Sequence, residues 1–145
     1  MGLLEGKKAL VMGVANDHSI AWGIARALHA EGAELGFNFL GEALERRVRP
    51  LAASVGAKLV EPCNVQSDEE IEAFMAKAEE TFGTIDILVH AIAFANRDEL
   101  NGPYMKVTRG GFATALDISV YSLTALVKAA DRLLNPGASV LTLTY

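Results

Sequence analysis

At 145 residues, 51% of them hydrophobic and 21% charged, the chain has a globular composition and is long enough to bury one core. Its net charge of −5 argues against a general nucleic-acid or anionic-membrane surface. No run reaches the roughly 18 apolar residues of a membrane span. One cysteine, Cys63, and three scattered histidines, His18, His29 and His90, exclude an intrachain disulfide and give no metal-ligand spacing.

The N-terminus shows no signal-peptide pattern, and a lone cysteine fits a reducing cytoplasm, so a cytoplasmic protein is expected. "KALVMG" (8–13) is an apolar run ending in glycine, which predicts a first strand. Ile20, Ile24 and Leu28 then recur every four residues, with Ala21, Ala25 and Ala27 beside them, which predicts a helix ending at Glu31-Gly32. "AELGFNF" (33–39) reads as the second strand. Leu44, Val48, Leu51 and Val55 keep helical spacing, and Pro50 is expected to kink or interrupt that helix. The basic cluster "ERRVR" (45–49) lies on it as a solvated face.

"AKLVEPCNV" (57–65) is a third strand running into a loop. Ser67 with Glu70 forms a capping box, and Ile71, Phe74, Met75, Ala78 and Phe82 supply the stripe of the helix that follows. "IDILVHAIA" (85–93) is nearly continuous apolar sequence, the mark of a parallel strand covered on both faces. Phe112, Leu116, Val120, Leu123 and Val127 stripe a long helix that ends near "NPG" (135–137), and "ASVLTLTY" (138–145) begins a fifth strand.

Five strands alternating with helices predict an α/β fold with a doubly wound parallel sheet. Ligands in such sheets bind beyond the C-terminal strand ends, where strand order reverses. That rule selects "GVANDHSIAWG" (13–23). Gly13 ends the first strand, where a side chain would hinder a pyrophosphate approaching the backbone. Ser19 stands at an expected N-cap, so its hydroxyl and the free N–H groups of the first turn could hold a phosphate. The stretch lacks G-x-G-x-x-G, with Ser19 and Ala21 where later glycines would fall, and an ordinary capped turn is the other reading.

"GVANDHSIAWGIA", "CNV", "IDILVHAIAFA", "DISVYS" and "SVLTLTY", in that order, resemble the bacterial enoyl-acyl carrier protein reductases, a divergent branch of the short-chain dehydrogenase/reductase family. The resemblance covers essentially the whole chain and implies a Rossmann-type NAD-binding domain over residues 1–145, cut short on its C-terminal side. It implies NADH as cofactor, with Gly13, Ser19 and Ile20 around the pyrophosphate and Asn64 and Val65 at the adenine. Ala91, Ile92 and Ala93 would run beside the ribose and nicotinamide, with Ile118 lining the channel. Phe94, Ala95 and Leu100 would face an enoyl chain carried by acyl carrier protein. Tyr145 matches the first of two active-site tyrosines, and a plain strand-end role is its alternative. The second tyrosine and its lysine, Tyr-x6-Lys, are expected beyond residue 145, so the chain alone is expected to be inactive.

Three departures accompany this resemblance: Asn64 where Asp is frequent, Leu40 where the end of the second strand is often polar, and the absent Tyr-x6-Lys. Leu40-Gly41-Glu42 offers no cation to a 2′-phosphate, which favours NADH over NADPH, with Arg46 and Arg47 as the reservation. His90 is expected as a packed core histidine, Trp22 as a packing residue, and His18 as exposed. Asp117 and Tyr121 lie on the helix that the family uses for subunit contact, which implies a homotetramer. A noncatalytic dinucleotide-binding module and another short-chain dehydrogenase stand as alternative functions.

Overall fold

The computed structural model describes residues 2–144, so Tyr145 lies outside the described residues. Five strands are formed: β1 (Lys8–Met12), β2 (Glu34–Phe39), β3 (Leu59–Pro62), β4 (Ile85–His90) and β5 (Leu134–Thr142). All neighbours pair in parallel, in the order β3-β2-β1-β4-β5. The chain winds outward from β1 to β3, then crosses to the other side of β1 to lay down β4. Strand order therefore reverses between β1 and β4, and a crevice opens at their C-terminal ends.

Alternate residues of each strand feed two cores. Leu10, Met12 and Leu88 face α3 (Asp68–Phe82) and α5 (Ser122–Ala130), meeting Phe74, Met75, Leu126 and Ala130. Ala9, Val11 and Val89 face α1 (Ile20–Ala30) and α2 (Gly41–Ser54), meeting Trp22, Ala25, Val48 and Ala52. Trp22 packs at a tilt on Phe37, ring centroids 6.3 Å apart, so it is the packing residue expected. Burial on both faces explains why β1 and β4 are apolar throughout.

Four features differ from the sequence expectation. Helix α2 runs through Pro50 without interruption. Pro50 and Arg46, whose carbonyl loses its i+4 donor, are both exposed, so water can satisfy that carbonyl. Strand β5 begins at Leu134 rather than beyond "NPG": Ile85 pairs with Leu134 and Ile87 with Ser139, so the intervening residues of β5 bulge. Gly137, at φ +80°, supplies the backbone conformation that the bulge requires.

The long helix is also phased differently. It comprises α4 (Arg109–Leu116), a π-helical turn at Asp117–Tyr121, and α5. The expected stripe points largely outward, with Phe112 47%, Leu116 45% and Val120 60% exposed. The side turned inward carries Leu126 among Ser122, Ala125, Ala129 and Ala130, small residues that let α5 lie close to α3 and the sheet. A helix apolar on two sides gives no unique stripe, and the π turn breaks the i, i+4 row between its halves. The span Arg109–Leu133 is long and apolar enough to cross a membrane by length and composition, where the sequence pattern suggested no such segment. Its inward side is part of the sheet core.

Candidate functional site

The first wall of the crevice is the loop from β1 to α1. Gly13 adopts φ +112°, and a Cβ there would lie 2.0 Å from the Ala91 carbonyl oxygen. The bareness of Gly13 thus serves the close approach of the β1 and β4 ends. The neighbouring Ala91 N–H donates to the Met12 carbonyl at 2.9 Å, fixing that approach.

Ser19 occupies the N-cap position of α1 but makes no side-chain cap bond. Its Oγ instead accepts the N–H groups of Ala15 and Asn16, each at 3.0 Å, and so closes the loop on itself. The loop curls back over the hydroxyl and places those two donors nearest to it. Asn16 adds an Asx turn by accepting from the His18 N–H at 2.8 Å. His18 is exposed, as expected. Trp22 and Gly23 donate to the Ser19 carbonyl, while the N–H groups of Ile20 and Ala21 have no acceptor among the described residues. Two free donors at a helix N-terminus form an anion-binding feature.

The second wall is the loop after β3. Asn64 accepts the Gln66 N–H at 3.0 Å through its own Oδ1, and its N–H donates to Glu70 Oε2 at 2.7 Å. Only half of the expected capping box forms. Ser67 Oγ accepts from the Glu70 N–H at 3.2 Å, but the Glu70 carboxylate reaches the Asn64 loop instead. Gln66 Nε2 then donates across the mouth to Asp117 Oδ2 at 3.0 Å.

The third wall joins the end of β4 to the π turn. Phe94 N–H donates to Ser119 Oγ at 3.0 Å, and the Ser119 hydroxyl donates back to the Phe94 carbonyl at 3.1 Å. This reciprocal pair sets Ala91–Phe94 against Ile118. The three walls enclose a cavity of about 520 Å³, within the range of roughly 300–1,000 Å³ usual for ligand sites.

Gly13, Leu40, Asn64, Val65, Ala91, Ile92, Ala93, Phe94 and Ile118 all line this cavity. Ser19, Ile20, Ala95 and Leu100 do not; Ile20 and Leu100 are each 70% exposed. The Ile20 side chain is turned to solvent, and its unpaired N–H is the feature it offers to a ligand. Leu100 stands on a one-turn 3-10 helix, Arg97–Leu100, outside the cavity. Sequence reasoning missed Asn38, Leu44, Cys63, Gln66, Asn96 and Thr114, which also line it. For Asn38 a signal existed: it is the lone polar residue between the two phenylalanines of "GFNF".

No lining group is an activated acid, base or nucleophile. Burial, helped by the nearby Glu70 charge, pushes the Cys63 thiol up to about 12, so it stays protonated and unreactive at neutral pH. His90, behind the site, is buried and bonded through both ring nitrogens, to Thr142 Oγ1 at 2.8 Å and Ser122 Oγ at 2.7 Å. It is the packed core histidine expected. Among the described residues no cluster of His, Cys, Asp or Glu could hold a metal ion. At the Leu40 end, Arg46 pairs with Glu42, and Arg49 pairs with Glu45 at 2.7 Å while lying 5.3 Å over the Phe39 ring.

The arrangement suits a dinucleotide: free amides for phosphate, apolar Leu40, Leu44 and Val65 for a flat base, and Ile92 and Ile118 for a second ring. Comparison with known proteins agrees. The family model described as enoyl-(acyl carrier protein) reductase matches residues 13–145. Enoyl-[acyl-carrier-protein] reductase [NADH] 1 of Rhizobium meliloti (strain 1021) is 51% identical over 144 residues, which are 99% of this chain and 53% of that protein. The crystal structure of the Bacillus cereus enoyl-acyl carrier protein reductase with NADP+ and an indole naphthyridinone superposes with TM-score 0.95 at 50% identity, covering 100% of this chain and 57% of that one. The reductase of Anaplasma phagocytophilum in complex with NAD gives 0.94 at 44% identity, covering 100% and 56%. The chain spans about half the length of the relatives it matches. Its sheet, its strand-end cavity and these matches place it in one family: the chain belongs to the enoyl-(acyl carrier protein) reductases.

Proposed function

We propose that the protein is an NADH-dependent enoyl-acyl carrier protein reductase of fatty acid synthesis and that residues 1–145 supply its dinucleotide-binding domain. The observation that carries this reading is the largely apolar cavity at the reversal between β1 and β4, one wall of which is the loop that leads into the unpaired N–H groups of α1. Bound NADH supplies the hydride that reduces the β-carbon of a trans-2-enoyl thioester. The N–H groups of Ile20 and Ala21 would hold the pyrophosphate, whose charge the N-terminal dipole of α1 favours. Ser19 shapes that loop, and its hydroxyl hydrogen, only weakly engaged at 3.5 Å from Asn16 Oδ1, can turn to a phosphate oxygen. Asn64 and Val65 border the adenine.

Ala91, Ile92, Ala93 and Ile118 would border the nicotinamide side of the bound cofactor and limit the positions open to its ring. Phe94, half exposed at the mouth, borders the acyl chain, with Ala95 and Leu100 beyond it. The thioester oxygen gains negative charge during reduction and needs an aimed donor, for which a tyrosine hydroxyl is suited. Tyr145 is proposed for that neighbourhood, with the principal donor and a ribose-holding lysine outside residues 1–145. The acyl carrier protein is the proposed partner, and the lone buried thiol of Cys63 fits a reducing compartment.

The test is NADH oxidation, followed spectrophotometrically, with a trans-2-enoyl thioester. The expected outcome is turnover by a chain of the relatives' full length and none by residues 1–145 alone. Turnover by the 145-residue chain would show the catalytic groups to be misplaced. A folded, full-length protein that binds NADH but never oxidises it would favour a noncatalytic binding module.

A further inference from the structure

Three polar side chains are buried among the described residues: Asn38, His90 and Ser122. His90 and Ser122 answer each other, but Asn38 stands apart in β2 and does a different job. Its Oδ1 accepts the Gly13 N–H at 3.1 Å, and its Nδ2 donates to the Cys63 carbonyl at 3.3 Å. Those partners fix the amide's orientation, because a flipped group would set donor against donor and oxygen against oxygen. Asn38 is 6% exposed, so water is poorly placed to substitute for it.

The position matters because the backbone ladder is ending here. The last β1–β2 pair is Val11 with Phe37, and the last β2–β3 pair is Phe39 with Pro62. Gly13 opens the loop to the free N–H groups of α1, and Cys63 leads directly into Asn64 and Val65. One side chain thus ties the two loops that form opposite walls of the cavity, each 25 residues from it in sequence.

We propose that Asn38 is a positioning residue that sets the separation of the phosphate wall from the base wall, and so the fit of any ligand that spans both. The proposal rests on the reading that the cavity holds NADH. Without the amide, the Gly13 N–H and Cys63 carbonyl each lose a buried partner and the loops shift independently to find new ones. A ligand bridging the walls then meets a span that is no longer set. A ligand touching one wall is barely affected.

The experiment uses the full-length protein, with Asn38→Leu removing both bonds and Asn38→Asp keeping an acceptor for Gly13 while losing the donor to Cys63. NADH affinity is measured by cofactor fluorescence and adenosine affinity by ligand-observed NMR, with thermal unfolding alongside. NADH affinity is expected to fall at least tenfold in Asn38→Leu and by less in Asn38→Asp, with adenosine affinity changed less than twofold in both. If NADH affinity is unchanged in both variants, or NADH and adenosine weaken by the same factor, the proposal is overturned. Should Asn38→Leu fail to unfold cooperatively, Asn38→Asp is judged alone by the same two criteria. A wild-type protein that binds no NADH would overturn the cofactor reading itself, an outcome separate from any difference between variants.

Discussion

His90 and Ser122 form a directional pair: the imidazole Nε2 lies 2.7 Å from Ser122 Oγ, whose own hydrogen is directed to the Ile118 carbonyl at 2.6 Å. A hydroxyl has one hydrogen, so Nε2 must carry the proton and donate. Nδ1 is then bare and accepts from the Thr142 hydroxyl at 2.8 Å. The ring is neutral, and burial holds its pKa below the ordinary 6.5 against a smaller upward pull from a backbone hydrogen bond. The unfolded chain therefore takes up the proton first as pH falls. Stability from this group is full above about 6.5 and declines as pH drops from there towards the lower folded value. Melting temperature measured against pH should show that decline, and His90→Gln should remove it. Ser122→Ala should destabilise by about 1–3 kcal/mol, because two buried groups lose their partner.

Asp86 gives a second, more acidic dependence. Burial works to raise its pKa, but the Asn135 amide, the Lys8 N–H and the Lys7 ammonium together hold it below 3.8. Its contribution is complete above that ordinary value and is lost as pH falls through the lower folded one. Because Asn135 lies on the β5 bulge, Asp86→Asn should loosen the β4–β5 pairing there. Protection of the backbone amides between Leu134 and Ser139 against hydrogen exchange, taken relative to their intrinsic rates, is expected to be lower in the variant than in the wild type at neutral pH.

The two loop residues should separate cleanly. Gly13→Ala puts a methyl against the Ala91 carbonyl in a backbone region hostile to L side chains, and should cost on the order of 2–3 kcal/mol of folding stability. Ser19→Ala leaves the fold nearly intact but frees two loop N–H groups. NADH affinity should drop roughly five- to tenfold, about 1 kcal/mol, by calorimetry on the full-length protein. No change in that affinity would remove Ser19 from the cofactor loop's function.

Cofactor choice follows from charges at the Leu40 end. Glu42 would repel a 2′-phosphate, and Arg46 and Arg49 are turned along α2 towards Glu42 and Glu45. The expected kcat/KM ratio favours NADH over NADPH by at least about tenfold, since a single repulsive or missing contact of 1.4 kcal/mol gives that factor. Glu42→Ala should narrow the ratio by releasing Arg46. A tenfold preference for NADPH in the wild type would refute the assignment.

Phe112, Leu116, Val120 and Tyr121 stand exposed along one side of the long helix whose other side covers the sheet. A contiguous apolar face of this kind marks an interaction surface, and the proposed occupant is a second copy within a homotetramer. Leu116→Glu in the full-length protein should shift light scattering to a smaller species. Unchanged mass in the variant, or a stable wild-type monomer, would count against this interface.

The strands were legible because burial on both faces leaves continuous apolar runs such as "KALVM" and "IDILVH". Much of the cavity followed from them, since strand ends fix where Gly13, Asn64 and Ala91 must lie. What escaped notice depended on direction in space. Nothing local says that the Ser19 hydroxyl turns back to Ala15 instead of forward into α1, or that Glu70 passes Ser67 to reach Asn64. Asn38 drew no notice within its strand because its partners are 25 residues away on either side. The long helix was misphased because large apolar side chains were taken as core, while its buried side is mostly serine and alanine around the one leucine, Leu126.

The π turn at Asp117–Tyr121 makes that helix two segments of different angular register. Ser122 N–H reaches back five residues to the Asp117 carbonyl, which in effect lodges one surplus residue in the rod. Each α-helical residue turns the chain by about 100°. Because the turn absorbs its surplus residue, removing one residue from this stretch would let the hydrogen bonds close as a regular helix while Arg109–Leu116 and Ser122–Ala130 kept their relative orientation. Thr114 would stay on the cavity wall and Phe112 on the exposed stripe. The same loss inside α5 would instead turn everything before it by about 100°, carrying pocket wall and outer surface round together. The π turn is thus the one stretch of this helix where chain length can change by a residue while both its faces hold still.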